Sequence, residues 1–183
     1  MKLVCIFGED NPENALFAVR YNEEEPDEFS RLFDLWSDVE YIESFCHENK
    51  DDLQDAFQRS ISVEEAADEI MDEAQLMERQ LYQYFDNTEL QRLFKPLHSN
   101  EYVLSPLQES KASPISREFR RPKIRIYAIR LAPNCFIVTG GAIKLTATMN
   151  ERLHLLEELT KIGRVKNWLS QNGIEIPEDL NEI

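Results

Sequence analysis

Residues 123–146 read KIRIYAIRLAPNCFIVTGGAIKLT, and this stretch predicts two neighbouring β-strands joined by a tight turn. Apolar and more polar residues alternate up to Leu131, and Phe136–Val138 form a continuous apolar run. β-Branched and aromatic residues at this density favour a pleated, half-buried surface. Pro133 and Asn134 supply turn chemistry, because proline fixes φ and asparagine tolerates left-handed conformations. We therefore expect a β-hairpin at the centre of the fold.

The alternation also predicts a basic face on this hairpin. With a period of two, Lys123, Arg125 and Tyr127 point to one side, and the intervening apolar residues point to the other. Gly140-Gly141 interrupts the second strand, which is typical of a bulge or of a close approach by another backbone or a ligand. Lys144 follows at once. Two interpretations stay open: a core hairpin with a solvated basic edge, and a sheet that faces an anion.

The composition is that of a chain with a packed core. Its 183 residues are 42% hydrophobic and 30% charged, which suits one sizeable domain and argues against wholesale disorder. No early run has the length of a signal-peptide core or a membrane span, so we expect a cytoplasmic chain that binds no membrane. The three cysteines and three histidines show no disulfide framework or metal-ligand spacing, and we expect neither a metal nor a cofactor.

Charge is distributed unevenly along the chain. The net charge of −15 argues against a nucleic-acid partner for the chain as a whole. However, residues 1–110 hold 8 basic and 27 acidic residues, whereas residues 111–166 hold 12 basic and 4 acidic ones, a local balance of +8. The hairpin lies in the basic part, and an asymmetry of this size is a clue to partners.

The first half of the chain predicts strands followed by helices. Two β-type runs at 2–7 and 15–21 flank a turn-rich connector and predict an N-terminal hairpin. An apolar stripe then recurs at helical spacing, which predicts a buried helix face. The stripe consists of Phe29, Leu32, Phe33 and Trp36. Residues 62–85 form the longest predicted helix, with Ser62 and Glu65 at capping-box spacing and an acidic side that we expect to be solvated.

The second half predicts fewer regular elements around the hairpin. We expect a strand near Tyr102–Leu104 and a loop over Gln108–Ser116. A helix is predicted from Met149 to Ile162, with Leu153, Leu156, Leu159 and Ile162 along one apolar side, and it is ended or broken by Gly163. Together these patterns predict an α+β fold, with a mainly antiparallel sheet and helices packed on one face. We expect one domain over residues 1–183, with an acidic helical segment (27–94) between the N-terminal strands and a hairpin–helix core (95–170).

The hairpin and the segment after it show a family pattern. The run RIYAIRL, a turn, CFIVTGGAIKLT and then MNERLHLLEEL resembles the core of RelE/ParE-type toxins, especially the HigB-like members. In those proteins a strand with an arginine precedes a strand that ends in a glycine and a lysine, and a charged helix follows. The matching positions here are Arg125 and Tyr127, then Gly140–Ala142 and Lys144. The resemblance covers residues 95–170.

This resemblance implies metal-free mRNA cleavage at the ribosome. The reaction needs a base for the ribose 2′-hydroxyl, a cation for the phosphate and an acid for the leaving oxygen. Arg125 and Lys144 fit the cationic roles, Tyr127 the stacking or proton-donating role, and His154 is a candidate for the late catalytic side chain of the family. The predicted RNA-binding residues are Lys123, Arg121, Arg130 and Arg152. No obvious general base occurs in the sequence.

The partners that the resemblance implies are mRNA on the ribosome and an antitoxin protein, with no DNA bound by the chain alone. Two other hypotheses explain the same basic sheet. The chain is then either a non-catalytic module that docks an acidic protein, or a regulatory protein whose acidic helices mask the sheet. A clustered set of base, cation and acid would favour the enzyme over the binder.

Overall fold

A computed structural model describes residues 1–98, 105–119, 121–146 and 152–182, and it has an α+β fold. The described strands form one sheet, in the order β1-β2-β6-β5-β4-β3. Their bounds are Lys2–Phe7 (β1), Asn14–Arg20 (β2), Lys95–Pro96 (β3), Gln108–Ala112 (β4), Ile124–Ala132 (β5) and Asn134–Ile143 (β6). Neighbouring strands are antiparallel, except that β2 runs parallel to β6. The mainly antiparallel sheet predicted from the sequence is therefore confirmed.

Five of the described helices lie within the predicted helical segment (27–94), and a sixth comes after the central hairpin. They are Glu28–Ser37 (α1), Val39–Glu48 (α2), Lys50–Phe57 (α3), Val63–Asp86 (α4), Leu90–Leu93 (α5) and Leu153–Gln171 (α6), and a 3₁₀ helix spans Pro177–Glu182. The predicted apolar stripe of α1 is buried at all four positions. At the start of α4 the hydroxyl of Ser62 accepts from the Glu65 amide, and the Glu65 carboxylate accepts from the Ser62 amide. No helix in the described part of the chain is both long and apolar enough to cross a bilayer.

The central hairpin is the middle of the sheet, as predicted. Strands β5 and β6 pair antiparallel around Pro133. Tyr127 pairs with Gly140 while the next residue of β5 pairs with Val138, so Thr139 is the extra residue of a β-bulge. The glycine pair therefore marks a bulge, one of the two features that glycine inside a strand indicates.

Both faces of this hairpin are buried, and each has its own layer of helices. Ile124, Ile126 and Ala128 face the cluster that contains α1–α5. Tyr127 and Ile129 face a second cluster formed with α6. The expected layer of helices on one face is present as α1–α5, and α6 adds a layer on the other. Strands buried on both faces read as nearly continuous apolar runs, which is why the alternation in β6 was weak.

Three details differ from the sequence predictions. Residues 108–112 form β4 instead of a loop, because pairing with β5 outweighs their weak intrinsic strand preference. Helix α6 continues through Gly163 to Gln171, since glycine inside a helix costs only about 1 kcal/mol. Its buried stripe is Leu155, Ile162, Val165 and Leu169, whereas Leu153 is 75% exposed. The strand predicted at Tyr102–Leu104 and the predicted start of α6 at Met149 lie outside the described residues.

Candidate functional site

A cleft of about 690 Å³ lies where the central hairpin starts and ends. It is lined by the cationic side chains of Arg121, Lys123, Arg125, Lys144 and Arg152, and we call it the basic cleft. Five of the eight predicted site residues thus lie together. Hairpin geometry explains the convergence, because antiparallel pairing places the beginning of β5 beside the end of β6. The Lys144 amide accordingly donates to the Lys123 carbonyl at 2.8 Å.

Arg125 and Lys144 are held at the wall of the basic cleft by backbone carbonyls. Arg125 Nη1 donates to the Ile124 carbonyl at 2.8 Å, and Lys144 Nζ donates to the Thr146 carbonyl at 2.6 Å. Burial lowers the pKa of Arg125, although Tyr127 and Glu73 act in the opposite direction. A partly desolvated guanidinium interacts more strongly with an anion than one in bulk water, because the local dielectric constant is lower.

Lys123 has a different environment from the one predicted. Only 5% of the residue is exposed, and its Nζ lies 3.7 Å from Glu73 Oε1 and 3.9 Å from the centre of the Phe57 ring. Its side chain therefore turns toward α3 and α4 and does not share a face with Arg125 and Tyr127. The reason is that Lys123 precedes β5 and is not bound by the strand's alternation. Burial lowers the pKa of Lys123, and Glu73 opposes that effect.

Glu73 is the exception to the solvated acidic side of α4. It is fully buried, and its Oε2 accepts from the backbone amides of Lys123 and of Ile124, the latter at 3.0 Å. Burial raises the pKa of the Glu73 carboxyl, while these amides and Lys123 act to lower it. Glu73 thus fixes the entry of β5 to α4. Its role as an internal partner was not readable from the sequence, where it resembles its solvated neighbours.

Helix α3 contributes two carboxylates, Asp52 and Asp55, to the basic cleft. Arg152 Nε lies 2.9 Å from Asp52 Oδ2, and Arg152 Nη2 lies 2.5 Å from Asp52 Oδ1, a forked ion pair between α3 and the N-cap of α6. Asp52 and Asp55 are three residues apart, so they share a helix face. The sequence spacing shows that common face, but not that it meets a basic cleft.

Three predicted site residues lie elsewhere. Tyr127 is 1% exposed between the sheet and α6, so it has no free face on which a base could stack, and burial raises the pKa of its hydroxyl. His154 lines a neighbouring cleft, where its Nε2 lies 3.2 Å from the Ile143 carbonyl and its ring meets Phe45 edge-on. Arg130 lies toward the opposite end of β5 and donates to the Ala132 carbonyl at 3.2 Å. Arg130 is five residues from Arg125 along β5, a separation of about 17 Å, which is why it does not join the cleft.

Two buried carboxylates that sequence reasoning missed are Glu158, which lines the neighbouring cleft, and Glu28 beside it. Lys161 Nζ lies 2.8 Å from Glu158 Oε1 and 3.3 Å from Glu28 Oε2, and Arg31 binds Glu28 with two hydrogen bonds. Burial raises the pKa of Glu158. A Cβ on Gly140 would lie 1.9 Å from Glu158 Oε2, so glycine is needed there for the carboxylate to fit. The glycine therefore accommodates a side chain of the protein itself.

Comparison of the chain with protein-family models, curated proteins and solved structures found no match. The functional inference consequently rests on the chemistry of the basic cleft and on the sequence pattern of the hairpin.

Proposed function

We propose that the basic cleft binds the phosphate backbone of RNA and that the chain is a RelE/HigB-like, mRNA-cleaving toxin. The observation that supports this most is the convergence of five cations on one cleft in a chain whose net charge is −15. Glu73 and Asp52 partner two of these cations, Lys123 and Arg152, and the excess of cations over carboxylates in the cleft still attracts an anion.

The types of residue favour phosphate. Arginine presents a planar fork that matches two phosphate oxygens, and lysine acts as a compact point charge. Arg125 on β5 and Lys144 just after β6 both line the cleft and provide one of each. Single-stranded RNA is the proposed ligand, because proteins bind a single-strand backbone along grooves lined by cations.

Cleavage is the part of the proposal that comes from the resemblance. In this mechanism Arg125 and Lys144 stabilise the negative charge that grows on the phosphate when the 2′-hydroxyl attacks. Tyr127 and His154 have no part in the proposed chemistry, because neither lines the basic cleft. We assign no residue as the general base.

The salt dependence of RNA binding tests the proposal. Each phosphate neutralised on a single strand contributes a slope of about −0.7 to log K against log salt concentration. Arg125→Ala and Lys144→Ala should each reduce the steepness of that slope by about this amount, as measured by fluorescence anisotropy on a labelled oligonucleotide. Arg79→Ala, on the exposed side of α4, makes the same charge change away from the cleft and should leave the slope unchanged.

Expression of the chain in a growing bacterium tests cleavage separately. We expect growth arrest and loss of bulk mRNA integrity with the wild type, and neither with Arg125→Ala or Lys144→Ala. Normal growth together with no RNA binding at low salt would refute the proposed function.

The alternative function is docking of an acidic protein segment, and one contact favours it. The forked Asp52–Arg152 pair is direct evidence that a carboxylate fits this cleft. Under this alternative the same two alanine variants abolish capture of an acidic protein, while the wild type leaves RNA intact.

A further inference from the structure

We infer that α3 is an autoinhibitory element, whose carboxylates occupy positions that RNA phosphates take in the basic cleft. This inference rests on the proposed function and adds a regulatory device to it. The acidic segment then masks the cleft through the short helix α3, in addition to the buried Glu73–Lys123 contact of α4.

The geometry of the Asp52–Arg152 pair carries the inference. Both carboxylate oxygens of Asp52 bind the guanidinium of Arg152, through its Nε and Nη2. An arginine fork receives two phosphate oxygens in this same arrangement. The two residues are 100 positions apart in the chain, so the contact joins separate elements and is not a local helix pair. Only 18% of the Asp52 side chain is exposed, and it therefore lies within the cleft.

The position of the second carboxylate supports the same reading. Asp55 lines the cleft one turn after Asp52, whereas Asp51, on the same helix, does not line it. At the end of α3 the ring of Phe57 covers the Lys123 ammonium. Through Asp52 and Phe57, α3 thus contacts one cation at the start of α6 and another just before β5.

The ends of α3 indicate that little free energy holds it in place. The helix has eight residues, and only Leu53 and Ala56 are buried. Its N-cap, Asn49, makes no side-chain capping hydrogen bond, and its C-cap, Gln58, has a left-handed backbone with φ of 56°. A left-handed conformation is unfavourable for a residue other than glycine or asparagine. Short helices with few buried residues open at low cost, so an incoming polyanion can displace this one.

The double variant Asp52→Asn, Asp55→Asn tests the inference on the full chain. We expect it to bind a fluorescein-labelled single-stranded RNA about three- to tenfold more tightly than the wild type, since the Asp52–Arg152 ion pair and a second carboxylate of the cleft are lost. Inorganic tripolyphosphate, used as an unlabelled competitor, should show the same gain. Asp51→Asn is the matched control, because it removes one carboxylate of α3 outside the cleft, and it should change affinity by less than about twofold.

Any result other than this gain in affinity overturns the inference. A gain with Asp51→Asn as large as that with Asp52→Asn alone means a general charge effect, and weaker binding by Asp52→Asn means that Asp52 positions Arg152 for the ligand. RNA binding that is equal in the wild type and the double variant refutes the autoinhibition and leaves the proposed function standing. If no variant binds either RNA or tripolyphosphate, both fail. If the double variant does not fold, the single variant Asp52→Asn is measured in its place and the same outcomes apply.

Discussion

Glu73 connects α4 to the start of the central hairpin through three contacts. Its carboxylate accepts hydrogen bonds from two backbone amides and lies beside the buried ammonium of Lys123. Glu73→Ala leaves that charge and both amides without their partner, so we expect the free energy of unfolding to fall by about 3–5 kcal/mol in urea denaturation. Glu73→Gln should cost less, because the amide oxygen still accepts a hydrogen bond.

Asp72→Ala is the control for this prediction, since Asp72 is the residue next to Glu73 on α4 and its carboxylate is exposed. Surface substitutions of this kind usually change stability by less than about 0.5 kcal/mol. Equal losses for Asp72→Ala and Glu73→Ala would show that the buried contacts contribute nothing beyond helix preference.

Glu158 gives a prediction about pH. Burial raises its pKa above the ordinary 4.5 in the folded state, outweighing the attraction of Lys161 and Arg31, and Glu28 also raises it. Above pH 4.5 the unfolded chain ionises at this position first, so the folded chain binds more protons there and loses stability as pH rises. This contribution is present below pH 4.5 and disappears as pH rises through the raised value.

We therefore expect the free energy of unfolding of the wild type to fall relative to that of Glu158→Gln as the pH is raised from 4.5. The measurement is urea denaturation of both proteins across pH 4.5 to 7.5, with Glu157→Gln as the exposed control. Parallel curves for wild type and Glu158→Gln would contradict the raised pKa.

At the scale of single residues, the sequence predicted the cations of the site but not their partners. Arg125 and Lys144 follow from strand alternation and from their places at the ends of a hairpin. Asp52, Glu73 and Glu158 look like ordinary residues of acidic helices. Their burial and ion pairs arise from packing between segments far apart in the chain, which a local pattern does not contain.

At the scale of elements, α1 packs its stripe onto the sheet. Trp36 is 2% exposed and lies close to Gly141, where a Cβ would come within 3.0 Å of the indole. Trp36→Ala should lower the free energy of unfolding by about 3–5 kcal/mol, because it leaves a large cavity between α1 and β6. Chemical denaturation measures the loss, with the exposed Asp34→Ala as control. A loss below about 1 kcal/mol would place the ring outside the core.

Elements with strong internal patterns could be predicted, and those defined by pairing could not. The capping box and the periodic stripe located α4 and α1, and the turn located the central hairpin. Strand β4 has the sequence QESKA, in which no pattern favours a strand, and only its registry with β5 makes it one. Likewise, the face of α6 that is buried depends on where the sheet lies.

At the scale of the whole molecule, opposite charges are separated along the chain and meet at the basic cleft. The acidic helices keep the molecule negative overall, while the hairpin concentrates positive charge at one place. A field of this kind repels polyanions from most of the surface and attracts them to the cleft at short range. The steep salt dependence predicted for RNA binding should therefore come from the cleft residues alone.

The parallel pairing of β2 with β6 also constrains how the polypeptide is made. Asn14 pairs with Asn134, and the Tyr21 hydroxyl reaches the Thr139 carbonyl 118 positions later. On the ribosome, the N-terminal hairpin and the apolar sides of α1–α4 leave the exit tunnel long before the strands that cover them. Topologies with such high contact order fold slowly, and exposed apolar faces aggregate meanwhile. We expect the strong acidity of the first 110 residues to act as a solubilising charge on the nascent chain until the central hairpin completes the sheet.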